Sequence, residues 1–298
     1  MHTPPLSSDT DLLLRTVAHN VTHLRAKSSN NSELVSQLLM GQTVRVVREE
    51  DGWSYVEGED TYRGWADNRW LTSHVTDELE PIRAVFAELR ESPDYHSPLL
   101  LRLPLFVWVR IVAATENGFI EVTTPDGSTS GYLGATNGVL PFRALSFVPT
   151  PAEQIAPVAA NHSRDFLGTP YLWGGSSSFG LDCSGFVQYC YGIAGVTLRR
   201  DADIQRDDPR FVPAPVTDVA QAGRDLLPGD LVFFGKPDRI THVGMHLAEN
   251  TFIHSAGGAG VIITEWGDDR YSPGFVDARR LDIARAGEPV TRFESETR

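Results

Sequence analysis

Residues 171–205 read YLWGGSSSFGLDCSGFVQYCYGIAGVTLRRDADIQ and place one cysteine, Cys183, directly after a glycine-rich loop. Apolar residues recur at helical spacing from Phe186 to Ile193, and Gly195 is a typical stop at the C-terminal end of a helix. The pattern therefore predicts a loop that delivers Cys183 to the first turn of a helix.

A cysteine at the start of a helix lies where unpaired backbone N–H groups and the positive end of the helix dipole stabilise an anion. This placement is expected to lower the pKa of the Cys183 thiol and to make it a thiolate nucleophile near neutral pH. Nearby glycines let backbone and substrate come close to the sulfur atom. We therefore interpret Cys183 as a nucleophile rather than as a small buried hydrophobic residue.

Two later histidines provide a base for that nucleophile and a group to orient the base. They lie in two short strand-like runs, RITHVGMHLAE around His242 and NTFIHSAG around His254, which a probable turn separates. A hairpin centred on Glu249 places His254 opposite Gly244. Diagonal neighbours on one face of such a hairpin are about 7–8 Å apart, a gap that two imidazole rings can bridge.

A zinc site is the alternative interpretation of these residues. Its ligands would be Cys183, His242, His246 and His254. No closely spaced ligand pair supports it, and His246 lies about 13 Å from His242 along a strand. We therefore expect no metal and no other cofactor, and we interpret His246 as structural.

Several short motifs follow one another along the C-terminal half of the chain. They are Tyr171 with Trp173-Gly174-Gly175, then DCSGF at 182–186, LPGDLVFF at 227–234, THVG at 241–244 and FIH at 252–254. Each motif alone is a weak signal, whereas their order and spacing together are a strong one. They resemble the NlpC/P60 family of cysteine peptidases, which have a papain-like core, and the resemblance covers roughly residues 151–285.

In this interpretation the Cys183 thiolate attacks an amide carbonyl. His242 holds the proton and later delivers it to the leaving amine, and His254 fixes the ring of His242. All three are candidate catalytic residues.

The oxyanion would be stabilised by the backbone N–H of Cys183 and by a side chain, for which Tyr171 is the family-like candidate. Asp182 and Ser184, which flank the nucleophile in its motif, are grouped with Tyr171 as oxyanion-stabilising or substrate-binding residues.

NlpC/P60 enzymes cleave cell-wall peptides, commonly at the bond from γ-D-glutamate to a diamino acid, meso-diaminopimelate or lysine. The run LRRD at 198–201 resembles the branch that acts on murein peptides with a free N-terminal L-alanine and releases L-Ala-D-Glu during recycling. Asp201 would bind the substrate ammonium by a charge-assisted hydrogen bond. Tyr62, from an N-terminal domain, would close that end of the cleft.

A structural role is the alternative for Asp201, which could cap the next helix or pair with Arg199 or Arg200. Ala202 departs from the family pattern, in which a small hydroxyl residue often follows the aspartate. One hydrogen bond to the substrate is then missing or supplied elsewhere. The choice between meso-diaminopimelate and lysine does not follow from the sequence.

Two similar segments precede the peptidase-like region. Leu24-Arg25 corresponds to Leu89-Arg90, and VRVV at 44–47 corresponds to VRIV at 109–112 with the same offset. A duplicated module leaves this kind of repeat. Both segments resemble bacterial SH3-like (SH3b) domains, and the second has diverged further.

The predicted fold is α+β, with a papain-like NlpC/P60 domain preceded by two small SH3-like β-barrels. A short helix, capped by Ser8 or Asp9, is predicted over residues 8–18. The predicted units are an N-terminal segment at 1–16, the barrels at 17–76 and 80–148, the peptidase domain at 151–285 and a C-terminal tail at 286–298.

The 298 residues carry a formal net charge of −13, which argues against a nucleic-acid partner and against binding to an anionic membrane. The first residues lack the pattern of a signal peptide or a membrane span. Cys183 and Cys190 are about 10 Å apart along one helix, too far for a disulfide bond. We expect a cytoplasmic monomer with reduced thiols, whose partner is the murein peptide L-Ala-γ-D-Glu-diamino acid.

Three other functions are compatible with the same features. A secreted peptidoglycan hydrolase would act on intact wall and use its barrels as anchors. An acyltransferase would pass the acyl group to an amine instead of water. A non-catalytic wall-binding protein would carry an inactive peptidase domain, and the complete set of Cys183, His242 and His254 argues against it.

Overall fold

The structure is a computed structural model. It describes residues 13–76, 78–134 and 150–290. No helix within these ranges is long and apolar enough to cross a membrane.

The N-terminal sheet has seven strands, and neighbouring strands are antiparallel. They are β1 (Leu14–Val17), β2 (Val21–Arg25), β3 (Leu34–Leu39), β4 (Thr43–Glu50), β5 (Trp53–Glu57), β6 (Arg63–Asp67) and β7 (Leu71–Ser73), with a 3-10 helix at Asn68–Trp70. Their hydrogen-bonded order is β3-β2-β6-β5-β4-β1-β7. Alternate side chains, such as Leu24 and Val56, fill a small apolar core of this sheet.

The next sheet repeats most of this plan. Its strands are β8 (Glu80–Pro81), β9 (Phe86–Arg90), β10 (Leu99–Pro104), β11 (Trp108–Ala114), β12 (Phe119–Thr123) and β13 (Ser130–Gly134). The order is β10-β9-β13-β12-β11-β8, and the run β10-β9-β13-β12-β11 corresponds to β3-β2-β6-β5-β4 of the first sheet. The repeat in the sequence is therefore a repeat of strand order.

The C-terminal region begins with helices. They are α1 (Ile155–His162), α2 (Cys183–Ile193), α3 (Ala202–Arg206) and α4 (Val219–Asp225), with 3-10 turns at Ala152–Gln154, Ser163–Phe166, Ser272–Gly274 and Ile283–Arg285. A two-stranded ribbon, β14 (Ser176–Ser177) with β15 (Gly180–Leu181), shapes the loop before α2. Helix α2 begins at Cys183, as the apolar spacing predicts.

A six-stranded antiparallel sheet packs on α2. Its strands are β16 (Phe211–Pro213), β17 (Leu231–Lys236), β18 (Arg239–His246), β19 (Thr251–Ala256), β20 (Gly260–Glu265) and β21 (Phe275–Leu281). They are hydrogen-bonded in the order β16-β21-β17-β18-β19-β20. Helices that precede most of an antiparallel sheet in the chain and pack against it make the fold α+β, which confirms the predicted class.

The helix predicted over residues 8–18 is wrong in its described part. Residues 1–12 lie outside the described residues, and Leu14–Val17 is strand β1. This strand pairs with β4 on one side and with β7 on the other. Long-range pairing therefore decides its conformation, which local helical spacing does not reveal. Part of the segment predicted for the second barrel, at 135–148, also lies outside the described residues.

One apolar core runs through all three regions. It contains Met40 of the first sheet, Leu103 of the second, and Phe186 and Phe233 of the C-terminal region, each at most 1% exposed. Hydrogen bonds also join the first sheet to the C-terminal region. Gln37 exchanges several with Ser176 of the ribbon, including Ser176 N–H to Gln37 Oε1 at 2.9 Å. The first sheet is therefore packed against the loop that carries the nucleophile.

We expect Gly174→Ala to reduce the free energy of unfolding by more than backbone strain alone, because it also disturbs this packing. Gly174 has a φ of +72°, and a Cβ there would lie 2.4 Å from the Leu34 carbonyl oxygen of the first sheet. Gly127 has nearly the same φ, +73°, but open space around it. Gly127→Ala should cost about 1–2 kcal/mol of unfolding free energy, and Gly174→Ala about 1–3 kcal/mol more. Thermal unfolding measures both, and equal losses would contradict the predicted close packing.

Candidate active site

Asp182 holds the loop before α2 in place. Its backbone is extended, and its Oδ1 accepts the Gly185 N–H at 2.7 Å, which caps the helix. Its Oδ2 accepts the Gly174 N–H at 3.0 Å. Gly185 can carry no side chain, because a Cβ would lie 2.2 Å from the Gly175 carbonyl oxygen. This compact loop fixes where Cys183 begins the helix.

Arg200 forms a buried ion pair with the same carboxylate. Its Nη1 and Nη2 donate to Oδ1 and Oδ2 of Asp182 at 3.0 and 2.5 Å, and the arginine is 1% exposed. Its Nε donates to the Ser36 hydroxyl of β3 at 3.0 Å. The bidentate geometry compensates for the desolvation of both charges. One arginine thus joins the nucleophile loop to the first sheet.

Ser184 and Asp182 face this buried network rather than the cleft. The Ser184 hydroxyl donates to Asp182 Oδ1 at 3.2 Å and accepts from Arg200 Nη1 at 2.8 Å. Its only proton is therefore in use, and both residues are buried. The prediction that these side chains bind substrate does not fit this geometry, in which they hold the loop.

The two histidines meet as the hairpin register requires. Met245 pairs with Ile253 across β18 and β19. A Cβ on Gly244 would lie 3.1 Å from the His254 Cβ, so these two residues face each other. His242 Nε2 lies 2.7 Å from His254 Nδ1. The other ring nitrogen of His242, Nδ1, takes no part in this contact. The predicted imidazole pair is confirmed as a contact.

Thr264 of β20 extends this pair. Its hydroxyl lies 3.0 Å from His254 Nε2. A His242 ring that accepts a proton at Nδ1 carries its own proton on Nε2 and donates it to His254 Nδ1. His254 then donates from Nε2 to Thr264. The chain of contacts therefore accommodates the tautomers in which Nδ1 of His242 is the acceptor.

Tyr271 packs against both histidines. Its ring stacks on His242 with the centroids 6.1 Å apart and the planes at 25°, and it meets His254 edge-on at 4.5 Å. Phe234 contacts His242 at 5.7 Å. These rings exclude water from the histidine pair and restrict its rotation.

Cys183 is partly exposed and packs on the core beside Val243, the residue after His242. Burial raises the pKa of its thiol to about 11, and the Asp182 carboxylate acts in the same direction. The backbone N–H groups of Val243 and Ser184 and the Arg200 charge oppose this rise. The sequence prediction of a lowered pKa is therefore wrong, first because burial disfavours the thiolate and then because the residue that caps the helix is itself an anion.

Burial also lowers the pKa of both histidines. The pKa of His242 falls to about 4, although the Asp182 carboxylate opposes the fall. The pKa of His254 falls to about 3, with further contributions from His242 and Arg270. At neutral pH the resting site therefore holds a protonated thiol beside neutral imidazoles.

Tyr171 lies at the same site. Its pKa is raised to about 12, first by burial and then by the charges of Cys183 and Asp182. A bridge to Leu181 holds its backbone beside the loop. The phenol remains protonated at neutral pH, so it can donate a hydrogen bond to an oxyanion.

Asp201 and Tyr62 meet across the boundary between the first sheet and the C-terminal region. The Tyr62 hydroxyl donates to Asp201 Oδ2 at 3.0 Å. Asp201 makes no side-chain cap on α3, and Arg200 pairs with Asp182 instead. Burial raises the pKa of Asp201 to about 6. The aspartate is thus a carboxylate that lacks an ion pair among the described residues.

Asp60 joins Tyr62 to the nucleophile helix through hydrogen bonds. Its Oδ1 accepts the Tyr62 backbone N–H at 3.1 Å, and its Oδ2 accepts from Gln188 Nε2 of α2 at 3.1 Å. Burial raises the pKa of Asp60 as well. The position of Tyr62 therefore depends on contacts from both the first sheet and the nucleophile helix.

His246 has a separate structural partner, since its Nδ1 accepts from the Trp266 indole at 3.1 Å. Residues 13–76, 78–134 and 150–290 contain no group of three His, Cys, Asp or Glu side chains placed to hold a metal ion.

Sequence reasoning missed the roles of Arg200, Thr264 and Tyr271. The sequence suggests Arg200 only as a possible partner of Asp201. Its ion pair with Asp182 joins residues on either side of helix α2. Thr264 lies one strand away from His254, so its register with β19 was the one available signal. Tyr271 lies in a loop without periodic pattern.

Family models match two regions of the chain. Residues 168–280 match the NlpC/P60 family, and residues 24–69 match the bacterial dipeptidyl-peptidase SH3 domain. The chain is 31% identical to a gamma-D-glutamyl-L-lysine dipeptidyl-peptidase from Bacillus cereus, over 76% of this chain and 68% of the relative. It is 29% identical to a protein of the same name from Bacillus subtilis, over 74% of this chain and 71% of the relative.

A crystal structure of an NlpC/P60 family protein from Bacillus cereus has the same fold. The TM-score is 0.72 at 24% identity, and the match covers 90% of this chain and 99% of that one. The predicted fold, a peptidase domain preceded by an SH3-like β-rich region, is confirmed.

The protonation state of Cys183 can be measured by alkylation with iodoacetamide. Because the pKa of the thiol is raised to about 11, the rate should rise roughly tenfold per pH unit from pH 7 to 10. Cys190 is fully buried, so Cys183→Ser should show no fast incorporation. A rate that is already constant below pH 7 would mean a thiolate beside an imidazolium and would contradict this electrostatic picture.

Proposed function

The chain belongs to the NlpC/P60 family of cysteine peptidases, and on that premise we propose its substrate and the bond that it cleaves. The substrate is a murein peptide with a free N-terminal L-alanine. The bond joins γ-D-glutamate to the diamino acid, and the product is L-Ala-D-Glu. The contact between Tyr62 and Asp201 carries this proposal.

This contact places a carboxylate at the boundary between the first sheet and the C-terminal region. Asp201 is a partly buried carboxylate without an ion pair among the described residues, and Tyr62 is its hydrogen-bond donor. A substrate ammonium would supply the missing positive charge and would lower the raised pKa of Asp201. A glycan-linked or acylated peptide has no such charge, and the group attached to its nitrogen would meet the Tyr62 side chain. The carboxylate therefore favours short peptides with a free amine.

The reaction starts from a neutral thiol and a neutral imidazole. As the Cys183 sulfur attacks the γ-carbonyl carbon of D-glutamate, Nδ1 of His242 accepts the thiol proton. The contacts with His254 and Thr264 accommodate the tautomer that can do this. The Cys183 backbone N–H and the Tyr171 phenol donate to the oxyanion.

The tetrahedral intermediate then collapses. His242 gives its proton to the leaving amine of the diamino acid, and an acyl-enzyme remains on Cys183. Water, deprotonated by His242, attacks the acyl-enzyme, the bond between carbon and the Cys183 sulfur breaks, and His242 returns the proton to that sulfur as L-Ala-D-Glu leaves. Both halves of the reaction thus use one histidine as base and then as acid.

The names of the relatives support the same bond, since two of them are gamma-D-glutamyl-L-lysine dipeptidyl-peptidases. A role in recycling is part of the proposal, because free-amine peptides arise when wall fragments are broken down. A cytoplasmic location follows from that role, and cell fractionation tests it.

Product analysis by mass spectrometry tests the proposal. The substrates are L-Ala-γ-D-Glu-meso-diaminopimelate, its N-acetylated form and intact sacculi, with Cys183→Ala as the inactive control. We expect L-Ala-D-Glu from the free peptide, and a kcat/KM lower by orders of magnitude for the acetylated one, since acetylation removes the charge that Asp201 binds. Equal cleavage of both peptides, or cleavage of sacculi, would instead indicate a wall hydrolase.

A matched pair of variants tests the anchor itself. Asp201→Asn should reduce kcat/KM for the free peptide by roughly tenfold to hundredfold, the range of a charge-assisted hydrogen bond. Asp203→Asn removes an exposed carboxylate from the same helix and should stay near wild type. Equal effects of the two changes would show that only the general negative charge of this region matters.

A further inference from the structure

The loop between β20 and β21 brings an arginine to the histidine pair. The guanidinium carbon of Arg270 lies 5.1 Å from the centre of the Tyr271 ring, the ring that stacks on His242. Arg270 is exposed. It makes one long hydrogen bond, 3.5 Å, to the Gly257 carbonyl, and it forms no ion pair with any residue in the described ranges.

Two carboxylates in the same loop do not neutralise this arginine. Asp268 Oδ1 accepts the backbone N–H groups of Arg270 and Tyr271, at 2.8 and 3.1 Å. Asp269 is exposed and is in no ion pair within the described part of the chain. The guanidinium therefore has donors available for a ligand.

Charged residues act on the pKa of each of the three catalytic residues. Asp182 and Arg200 act on the pKa of Cys183, Asp182 acts on that of His242, and Arg270 acts on that of His254. In the proposed reaction His242 protonates the leaving amine, so the diamino acid lies close to this ring. Tyr271 stacks on His242 and Arg270 lies over the Tyr271 ring, so both residues adjoin the place of the leaving group.

Tyr271 separates the arginine from the catalytic ring. Its ring stacks on His242, and the Arg270 guanidinium lies over it. The hydroxyl of Tyr271 is buried and has no hydrogen-bond partner among the described residues. The exposed donors beside the leaving group are therefore those of Arg270, with the Tyr271 ring as the wall next to them.

We propose that Arg270 and Tyr271 form the subsite for the diamino acid, with Arg270 binding the carboxylate at the far end of a meso-diaminopimelate side chain. This inference rests on the proposed function. Meso-diaminopimelate differs from lysine by that one carboxylate. Its carbon lies about 7 Å from the scissile nitrogen in an extended side chain, and Arg270 is separated from the His242 ring by the Tyr271 ring, with contacts of 6.1 and 5.1 Å. An arginine binds a carboxylate through two parallel hydrogen bonds.

The subsite makes the enzyme selective for meso-diaminopimelate over lysine. The lysine ammonium would face the Arg270 charge and lose the carboxylate contact. We expect kcat/KM for the meso-diaminopimelate peptide to exceed that for the lysine peptide by roughly tenfold to hundredfold.

The experiment measures kcat/KM for L-Ala-γ-D-Glu peptides that end in meso-diaminopimelate or in L-lysine, each with its α-carboxylate free or amidated. Wild type is compared with Arg270→Met and with Arg239→Met. Arg239 is an exposed arginine of the same sheet, three residues before His242, and has no ion pair in the described ranges. It controls for the loss of one positive charge near the site.

In Arg270→Met the ratio of the two kcat/KM values should fall to near one, mainly through loss on the meso-diaminopimelate peptide. Arg239→Met should keep the wild-type ratio. A wild-type ratio near one, an equal effect of both variants, or an Arg270→Met loss that depends only on the free α-carboxylate would overturn the subsite. Failure of wild type to cleave either peptide would instead refute the proposed function.

Discussion

The buried pair of Asp182 and Arg200 is the constraint on which the site depends. The carboxylate caps α2, accepts the Gly174 N–H and pairs with the guanidinium, which also reaches Ser36 in the first sheet. Removing one partner of a buried pair typically costs about 3–5 kcal/mol, because the other charge is left without compensation. The same carboxylate lies beside Cys183 and raises the pKa of the thiol. One residue thus fixes the position of the nucleophile and adds to the effect of burial on its resting protonation.

The first SH3-like sheet is part of the active site. It contributes Tyr62 to the contact with Asp201, Ser36 to the buried network and Gln37 to the contacts with the ribbon before α2. A single apolar core joins it to the peptidase domain. In the proposed function this sheet limits the length of the substrate, a role distinct from that of a tethered wall anchor. Specificity would then depend on packing between domains as much as on the catalytic residues.

Features set by local sequence could be predicted. The glycine loop and the apolar spacing gave the helix start at Cys183, and strand alternation gave the register that brings His242 and His254 together. Features set by long-range packing could not. Strand β1 depends on two partners distant in sequence, and the raised pKa of the thiol depends on burial, which only the folded chain shows. Tyr271 lies in an irregular loop, so no periodic pattern predicts its position.

The most direct test of this account is a crystal structure of Cys183→Ala with L-Ala-γ-D-Glu-meso-diaminopimelate bound. The account predicts that the L-alanine ammonium lies within hydrogen-bond distance of Asp201 and Tyr62, with the γ-carbonyl of D-glutamate beside residue 183. A peptide bound with its amine in solvent, and with the contact between Tyr62 and Asp201 unchanged, would contradict it. The first result would establish the inter-domain contact as the source of specificity, and the second would reduce that contact to a structural one.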